Sequence, residues 1–65
     1  MKVTKNDLGK VVLVKFDDVG RVDGLLVDIE PEHRRANVFF PYDNQLDDID
    51  IDQIVSIGKR VQIGV

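Results

Sequence analysis

The chain of 65 residues contains no cysteine, and His33 is its only histidine. Without thiolates, neither disulfides nor a cysteine-based zinc site can stabilise the fold, and a reducing, cytoplasmic setting is expected. Side-chain hydroxyls are confined to Thr4, Ser56 and Tyr42. Because a nucleophile with a neighbouring base is therefore almost excluded, we expect a protein that is not an enzyme and that holds no cofactor or metal.

Long apolar runs are also missing. The longest covers residues 11–14, whereas a membrane-spanning helix needs roughly 20 apolar residues, and the first residues lack the apolar core of a signal peptide. A chain of this length hides only about 60 % of the surface that it exposes when unfolded. We therefore expect one small domain over residues 1–65, away from membranes and without a large enclosed cavity.

The whole chain has a net charge of −3, and its negative charge is concentrated in one stretch. Residues 36–58 hold no lysine or arginine, and their acids are Asp43, Asp47, Asp48, Asp50 and Asp52. Three interpretations of residues 48–52 stay open: protection of a strand edge, a surface that meets a basic partner, or a weak metal site. A calcium loop is not among them, because its sixth and twelfth positions would be Gln53 and Lys59.

Helical periodicity is nearly absent, and β-branched runs recur at the spacing of about 8–12 residues that is typical of a sheet folded on itself. The pattern predicts strands at residues 10–16, 22–29, 36–40, 48–51 and 55–57. Thr4 and Asp7 have the spacing of a capping box, which predicts one helical turn over residues 5–8. Gly24, inside the second predicted strand, indicates a sharp bend or a close approach of the backbone.

Alternation along the predicted strands assigns the core and the aromatic residues. If Phe40 joins Val38 in the core, Phe39 points to the opposite face and becomes the exposed ring. The residues expected inside are Val12, Val14, Leu25, Val27, Ile29, Val38, Ile49, Ile51 and Ile57.

Five short strands, with a helical turn before the first and a tight turn before the last, resemble the Src-homology-3-like small barrels. An Sm-like first motif is similar to the series Gly9, Val12, Val14, Phe16, Gly20, Gly24, Leu26, Asp28 and Asn37. Residues 38–44 resemble the aromatic segment of Tudor-like domains. The resemblance implies an all-β, strongly bent, five-stranded antiparallel barrel. It does not extend to RNA binding, because residues 51–54 lack the Arg-Gly of the second Sm motif.

These observations favour a non-enzymatic interaction module, of the kind that small bacterial or phage genes encode, that binds a protein partner. Its acidic and aromatic contact residues would be Phe39, Tyr42, Asp43, Asp47, Asp48, Asp50 and Asp52. The alternative is a barrel that contacts nucleic acid or another anion through Lys5, Lys10, Arg34, Arg35, Lys59 and Arg60.

A third class is a structural subunit of an oligomeric assembly. Val61, Ile63 and Val65 alternate beyond the last predicted strand. They would lengthen that strand or pair with a second chain, which makes self-association an expectation. His33, next to Arg34 and Arg35, is interpreted as part of a solvated turn, with an anion-binding tip as its alternative.

Overall fold

The computed structural model describes residues 2–61, which contain five β-strands and three short 3-10 helices. The strands are β1 (Lys10–Phe16), β2 (Gly20–Glu30), β3 (Arg35–Phe40), β4 (Gln45–Asp50) and β5 (Ile54–Arg60). The 3-10 helices are Lys5–Asp7, Pro31–His33 and Ile51–Gln53. The predicted all-β class is confirmed. None of the helices in this part of the chain has the length and apolar character needed to cross a bilayer.

All five strands form one antiparallel sheet in the order β4-β3-β2-β1-β5. Within residues 2–61, β4 and β5 do not pair with each other, so the sheet is not closed into the barrel that the sequence predicted. The reason lies in the connection Ile51–Gln53. It is a single 3-10 turn, after which β5 pairs with β1 and not with β4.

The long strand β2 belongs to both halves of the sheet. Its first half pairs with β1, its second half pairs with β3, and Leu25 has a partner on each side. Gly24 lies where β2 passes closest to the core, because a Cβ there would come within 2.3 Å of Val38 Cγ1. The predicted close backbone approach at Gly24 is therefore confirmed.

The core draws residues from all five strands, so the sheet curls around one of its faces. The buried apolar residues are Val12, Val14, Leu26, Ile29, Ala36, Val38, Phe40, Ile49 and Ile54. Val12, Val14, Ile29, Val38 and Ile49 were predicted to lie inside, and this is confirmed.

In β2 the prediction for Leu25 and Val27 was wrong. Leu25 is half-buried on the outward face, Val27 is 45 % exposed, and Leu26 is fully buried in their place. The cause is a β-bulge: Leu26 pairs with Val38, but the next pair is Asp28 with Asn37, so β2 uses one extra residue. A bulge reverses the alternation of inside and outside positions beyond it.

The last strand has a similar irregularity. Its pairing with β1 shifts register twice, and Ile54 is its buried residue. Ile57 and Ile51, which were expected inside, are half-buried and pack against the edge of the core. The expectations for Ile63 and Val65 lie outside the described residues.

The N-terminal turn has the predicted capping box. The Thr4 amide donates to Asp7 Oδ2 at 3.0 Å, and Lys10 Nζ donates to Asp7 Oδ1 at 2.9 Å. Asp7 is buried, and the amide of Thr4, followed by Lys10, holds the pKa of its carboxyl below the ordinary value. Arg60 at the end of β5 donates to the carbonyls of Leu8 and Asn6, which ties the turn to the last strand.

Candidate functional site

Two hairpin turns lie at the same end of the sheet and bring an aromatic ring among acids. The rings of Phe16 and Phe40 are 5.5 Å apart between centroids, and Tyr42 lies edge-on to Phe40 at 6.2 Å. Phe40 is buried, whereas Tyr42 is 67 % exposed. We call the surface formed by Tyr42, Asp18, Asp43 and Asp47 the turn end.

Register explains why these side chains meet. Asp47 lies opposite Val38, which places it on the core face of the sheet, and Gln45 lies opposite Phe40 on the same face. Asp43 belongs to the β3–β4 turn, where its Oδ1 accepts from the Gln45 amide at 3.2 Å. Tyr42 therefore lies at the edge of the core, with Asp43 in its own turn and Asp47 on β4.

The acids change the ionisation of the Tyr42 phenol. Its pKa is raised above the ordinary value, first by desolvation of the hydroxyl and then by the Asp43 carboxylate, which repels the phenolate and accepts a hydrogen bond from the neutral hydroxyl. Asp47 and Asp18 add to the effect. The turn end is therefore a region of negative potential around an exposed ring. Asp18, which belongs to the β1–β2 turn, was missed because its proximity to Tyr42 depends on the stacking of Phe16 on Phe40.

The other acids that were predicted for partner binding already have hydrogen-bond or ion-pair partners within the chain. Asp48 lies on the outward face, where Oδ1 accepts from Arg35 Nε at 3.3 Å and its carbonyl accepts from Arg35 Nη2 at 3.0 Å. Asp52 forms an ion pair with Arg34, and this pairing raises the pKa of the guanidinium. Asp50 caps the 3-10 turn by accepting from the Asp52 amide at 2.9 Å. The structure therefore splits the predicted acidic surface in two.

The predicted cationic surface is also divided. Lys10 is bound to Asp7 and Arg60 to backbone carbonyls, while Arg34 pairs with Asp52 and Arg35 with Asp48. Within residues 2–61, Lys5 and Lys59 are exposed and form no ion pair. Three of the six cations thus form ion pairs within this chain, and Arg60 is bound to neutral carbonyls.

A row of apolar side chains crosses the outward face, and sequence reasoning did not identify it. Leu46, Phe39, Leu25 and Val11 lie opposite one another on four successive strands. Leu46 is 59 % exposed and the others are half-buried. Between Phe39 and Val61 the row forms a groove of about 330 Å³ with Asp23 in its wall. The signal in the sequence was that β1 and β3 carry apolar residues at both odd and even positions, so that each strand has an apolar side chain on both faces of the sheet.

Glu30, Glu32 and His33 place three metal-ligating atoms within 4.8 Å of one another. All three side chains are exposed, and the positively charged Arg34 and Arg35 follow directly. No buried polar group holds these ligands in position within the described part of the chain. The connection is therefore exposed to solvent, and the choice between a solvated turn and an anion-binding tip at His33 stays a prediction.

Comparison of the chain with protein-family models, with curated proteins and with solved structures finds no match.

Proposed function

We propose that this protein is a non-enzymatic interaction module that binds a basic segment of a protein partner at the turn end. The observation that carries the proposal is the Tyr42 ring, which is two-thirds exposed and near enough to Asp43, Asp47 and Asp18 for these acids to raise the pKa of its phenol. A lysine or arginine is attracted to the face of an aromatic ring and to carboxylates beside it. The turn end offers both to the same cation.

The core keeps this ring in position. Tyr42 packs against Phe40, which is buried and in contact with Phe16. The β3–β4 turn is closed by the bond from the Gln45 amide to Asp43. A ring that is already fixed loses little conformational entropy when a partner binds, which favours affinity.

Charge at this exposed surface should act mainly on the association rate. Exposed ion pairs contribute about 0–1 kcal/mol each, whereas a concentrated negative potential speeds the approach of a cationic partner. The matched test reverses one charge at the turn end, Asp47→Lys, and one at the opposite end of the molecule, Glu32→Lys. Both side chains are exposed, and both substitutions change the net charge by the same amount.

The probe is a short synthetic peptide of alternating arginine and glycine, with association rates measured on a biosensor at low and high salt. We expect Asp47→Lys to slow association several-fold at low salt and Glu32→Lys to change it much less. High salt should remove the difference, because surface charges are screened beyond about 10 Å at 0.1 M. Equal slowing by both variants would mean that net charge alone attracts the peptide. That result, or no binding by the parent, would refute the site.

The aromatic part of the proposal has its own test. Tyr42→Ala should make the peptide dissociate about two- to fivefold faster, the equivalent of about 0.5–1 kcal/mol for an exposed cation–π contact. Tyr42→Phe keeps the ring and should retain the slower dissociation. If both variants speed dissociation equally, the hydroxyl rather than the ring makes the contact, and if neither does, Tyr42 does not contact the peptide.

We also propose that the fold is related to the Src-homology-3-like small barrels. Supporting observations are the five strands in the order β4-β3-β2-β1-β5, the strand β2 shared by both halves of the sheet, and the 3-10 turn before the last strand. An experimental structure in which the core face is covered by a separate layer, rather than by the curled sheet, would overturn this relation.

A structural role in an assembly is the second candidate. It is favoured by the two sheet edges, on β4 and β5, that have no strand partner within residues 2–61. Unpaired edges are templates for pairing with another chain. A native mass that stays monomeric at high protein concentration would exclude self-assembly.

A further inference from the structure

The outward face of the sheet carries an apolar row that is partly exposed to water. The members of the row lie on four neighbouring strands and are Leu46, Phe39, Leu25 and Val11. Leu46 is exposed and the other three are half-buried. Apolar surface gains free energy when it is removed from water, and a contiguous apolar stripe bordered by charged residues is typical of a contact surface.

Strand β2 has opposite charges on the two sides of this row. Along its outward face, Arg21 lies toward the turn end, and Glu30 lies at the other end of the strand. Lys15 is directly opposite Arg21, so two cations that repel each other lie together on the first side. All three side chains are exposed, and within residues 2–61 none of them forms an ion pair.

We infer that a second copy of this chain covers the outward face, in a symmetric dimer whose strands run antiparallel to those of the first copy. A two-fold axis along the apolar row keeps Leu25 over Leu25 of the second copy and exchanges the two sides of the row. Arg21 of each copy then meets Glu30 of the other, and the contact occurs twice. Packed sheets are about 10 Å apart, a distance that an arginine and a glutamate side chain can span together.

The area of the face suits a dimer that dissociates on dilution. Four strands have a width of about 19 Å, and the segment of β2 from Arg21 to Glu30 is about 30 Å long, so each copy contributes roughly 600 Å². Specific interfaces hide at least about 1,200 Å² in total. The outward face therefore lies at the lower limit for a specific contact, and the charged pairs at its two sides decide how tightly it associates.

Two acids next to the row also come together in this arrangement. Asp23 lies on one side of Leu25 and Asp28 on the other. The Asp28 carboxylate is turned to its own backbone, where Oδ1 accepts from the Ile29 amide at 2.9 Å. Within residues 2–61, Asp23 forms no ion pair, so its charge opposes the contact. Asp23→Asn should therefore strengthen the dimer.

Reciprocal charge reversal tests the contact directly. The mass of the parent, of Arg21→Glu and of Glu30→Arg is measured by sedimentation at low salt over a range of concentrations, and far-ultraviolet circular dichroism verifies that each variant is folded. Each variant alone sets like charges against each other at both contacts, so its dissociation constant should rise on the order of tenfold. An equimolar mixture of the two restores opposite charges at both contacts and should associate like the parent.

Matched apolar variants separate this face from other modes of association. Leu46→Gln removes a side chain from the row and should weaken the dimer, whereas Val19→Gln, at a similarly exposed residue of the β1–β2 turn, should not. A parent that stays monomeric at millimolar concentration would overturn the inference. So would a mixture of the two reversals that fails to recover, or reversals that leave the mass unchanged, since the contact would then lie elsewhere, such as on the sheet edges.

Discussion

A side chain at Gly24 would collide with the core, since an added Cβ would lie 2.3 Å from Val38 Cγ1 and 3.0 Å from the Phe40 ring. Protein cores are densely packed and yield little to an added methyl group. We expect Gly24→Ala to lower the free energy of unfolding by about 1–3 kcal/mol, measured by denaturant titration. A variant as stable as the parent would show that β2 can move away from β3 at no cost.

The collision at Gly24 can be separated from a general backbone effect. Val38→Ala removes the atom that the new Cβ would meet, so its cost should be smaller in the Gly24→Ala background than in the parent. Gly20 provides the control: its φ is +82° and an added Cβ would have no neighbour within 4 Å. Val38→Ala should therefore lower the free energy of unfolding by the same amount in the Gly20→Ala background as in the parent.

Strand β2 contains neighbouring positions with opposite environments. Leu26 is fully buried in the core cluster opposite Val38, and Val27 is exposed at the bulge. We expect Leu26→Asp to unfold the domain, because a buried unpaired charge costs several kcal/mol of a total near ~5. Val27→Asp should retain the far-ultraviolet circular dichroism of the parent and a cooperative thermal transition. The opposite ranking would mean that β2 follows uninterrupted alternation.

Elements specified by neighbouring residues were predictable. The capping box of Thr4 and Asp7 predicted the first turn, and the alternation of residues 10–16 predicted β1. The alternation along β3 predicted that Phe40 and Phe39 lie on opposite faces of the sheet. The change of phase within β2, between Leu26 and Asp28, was not predictable, because its bulge arises from pairing with β3 and leaves no local signature. The same holds for β5, whose register depends on β1.

The candidate site followed the same rule. The grouping of Tyr42 with Asp43 and Asp47 could be anticipated from a short stretch of sequence. The pairing of Asp48 and Asp52 with arginines could not, because their partners lie 13 and 18 residues away along the chain. Local sequence therefore overstated the acidic surface, since it showed the charges of β4 without the cations that the fold brings beside them.

Acidic groups lie at both ends of the sheet, and the ionisation of Tyr42 reports the electrostatic potential at one of them. Tyr42 is the only tyrosine of the chain, so its ionisation can be followed by tyrosinate absorbance. We expect a pKa above the ordinary value of about 10 in the folded protein. Asp47→Asn and added salt should each lower it. Neither should return it fully to the ordinary value, because desolvation is the larger cause.

The raised pKa of Tyr42 also fixes the sign of a contribution to stability. The folded state holds the phenolic proton more tightly than the unfolded state does. The stabilisation is therefore fully present below about pH 10 and is lost as the pH rises through the pKa of the folded state. A folded-state titration midpoint at or below that of the denatured protein would contradict this.

The pairing of β1 with β5 has a consequence for the time course of folding. The ladders β1–β2, β2–β3 and β3–β4 join consecutive strands, whereas Lys10 pairs with Arg60 and Val14 with Ile54 across most of the chain. Closing such a loop early carries the largest entropy cost, and the cost falls once the three hairpins have shortened the path. The β1–β5 ladder should therefore form after the rate-limiting barrier. Its signature would be a φ-value near 0 for Ile54→Val beside a clearly higher one for Val38→Ala.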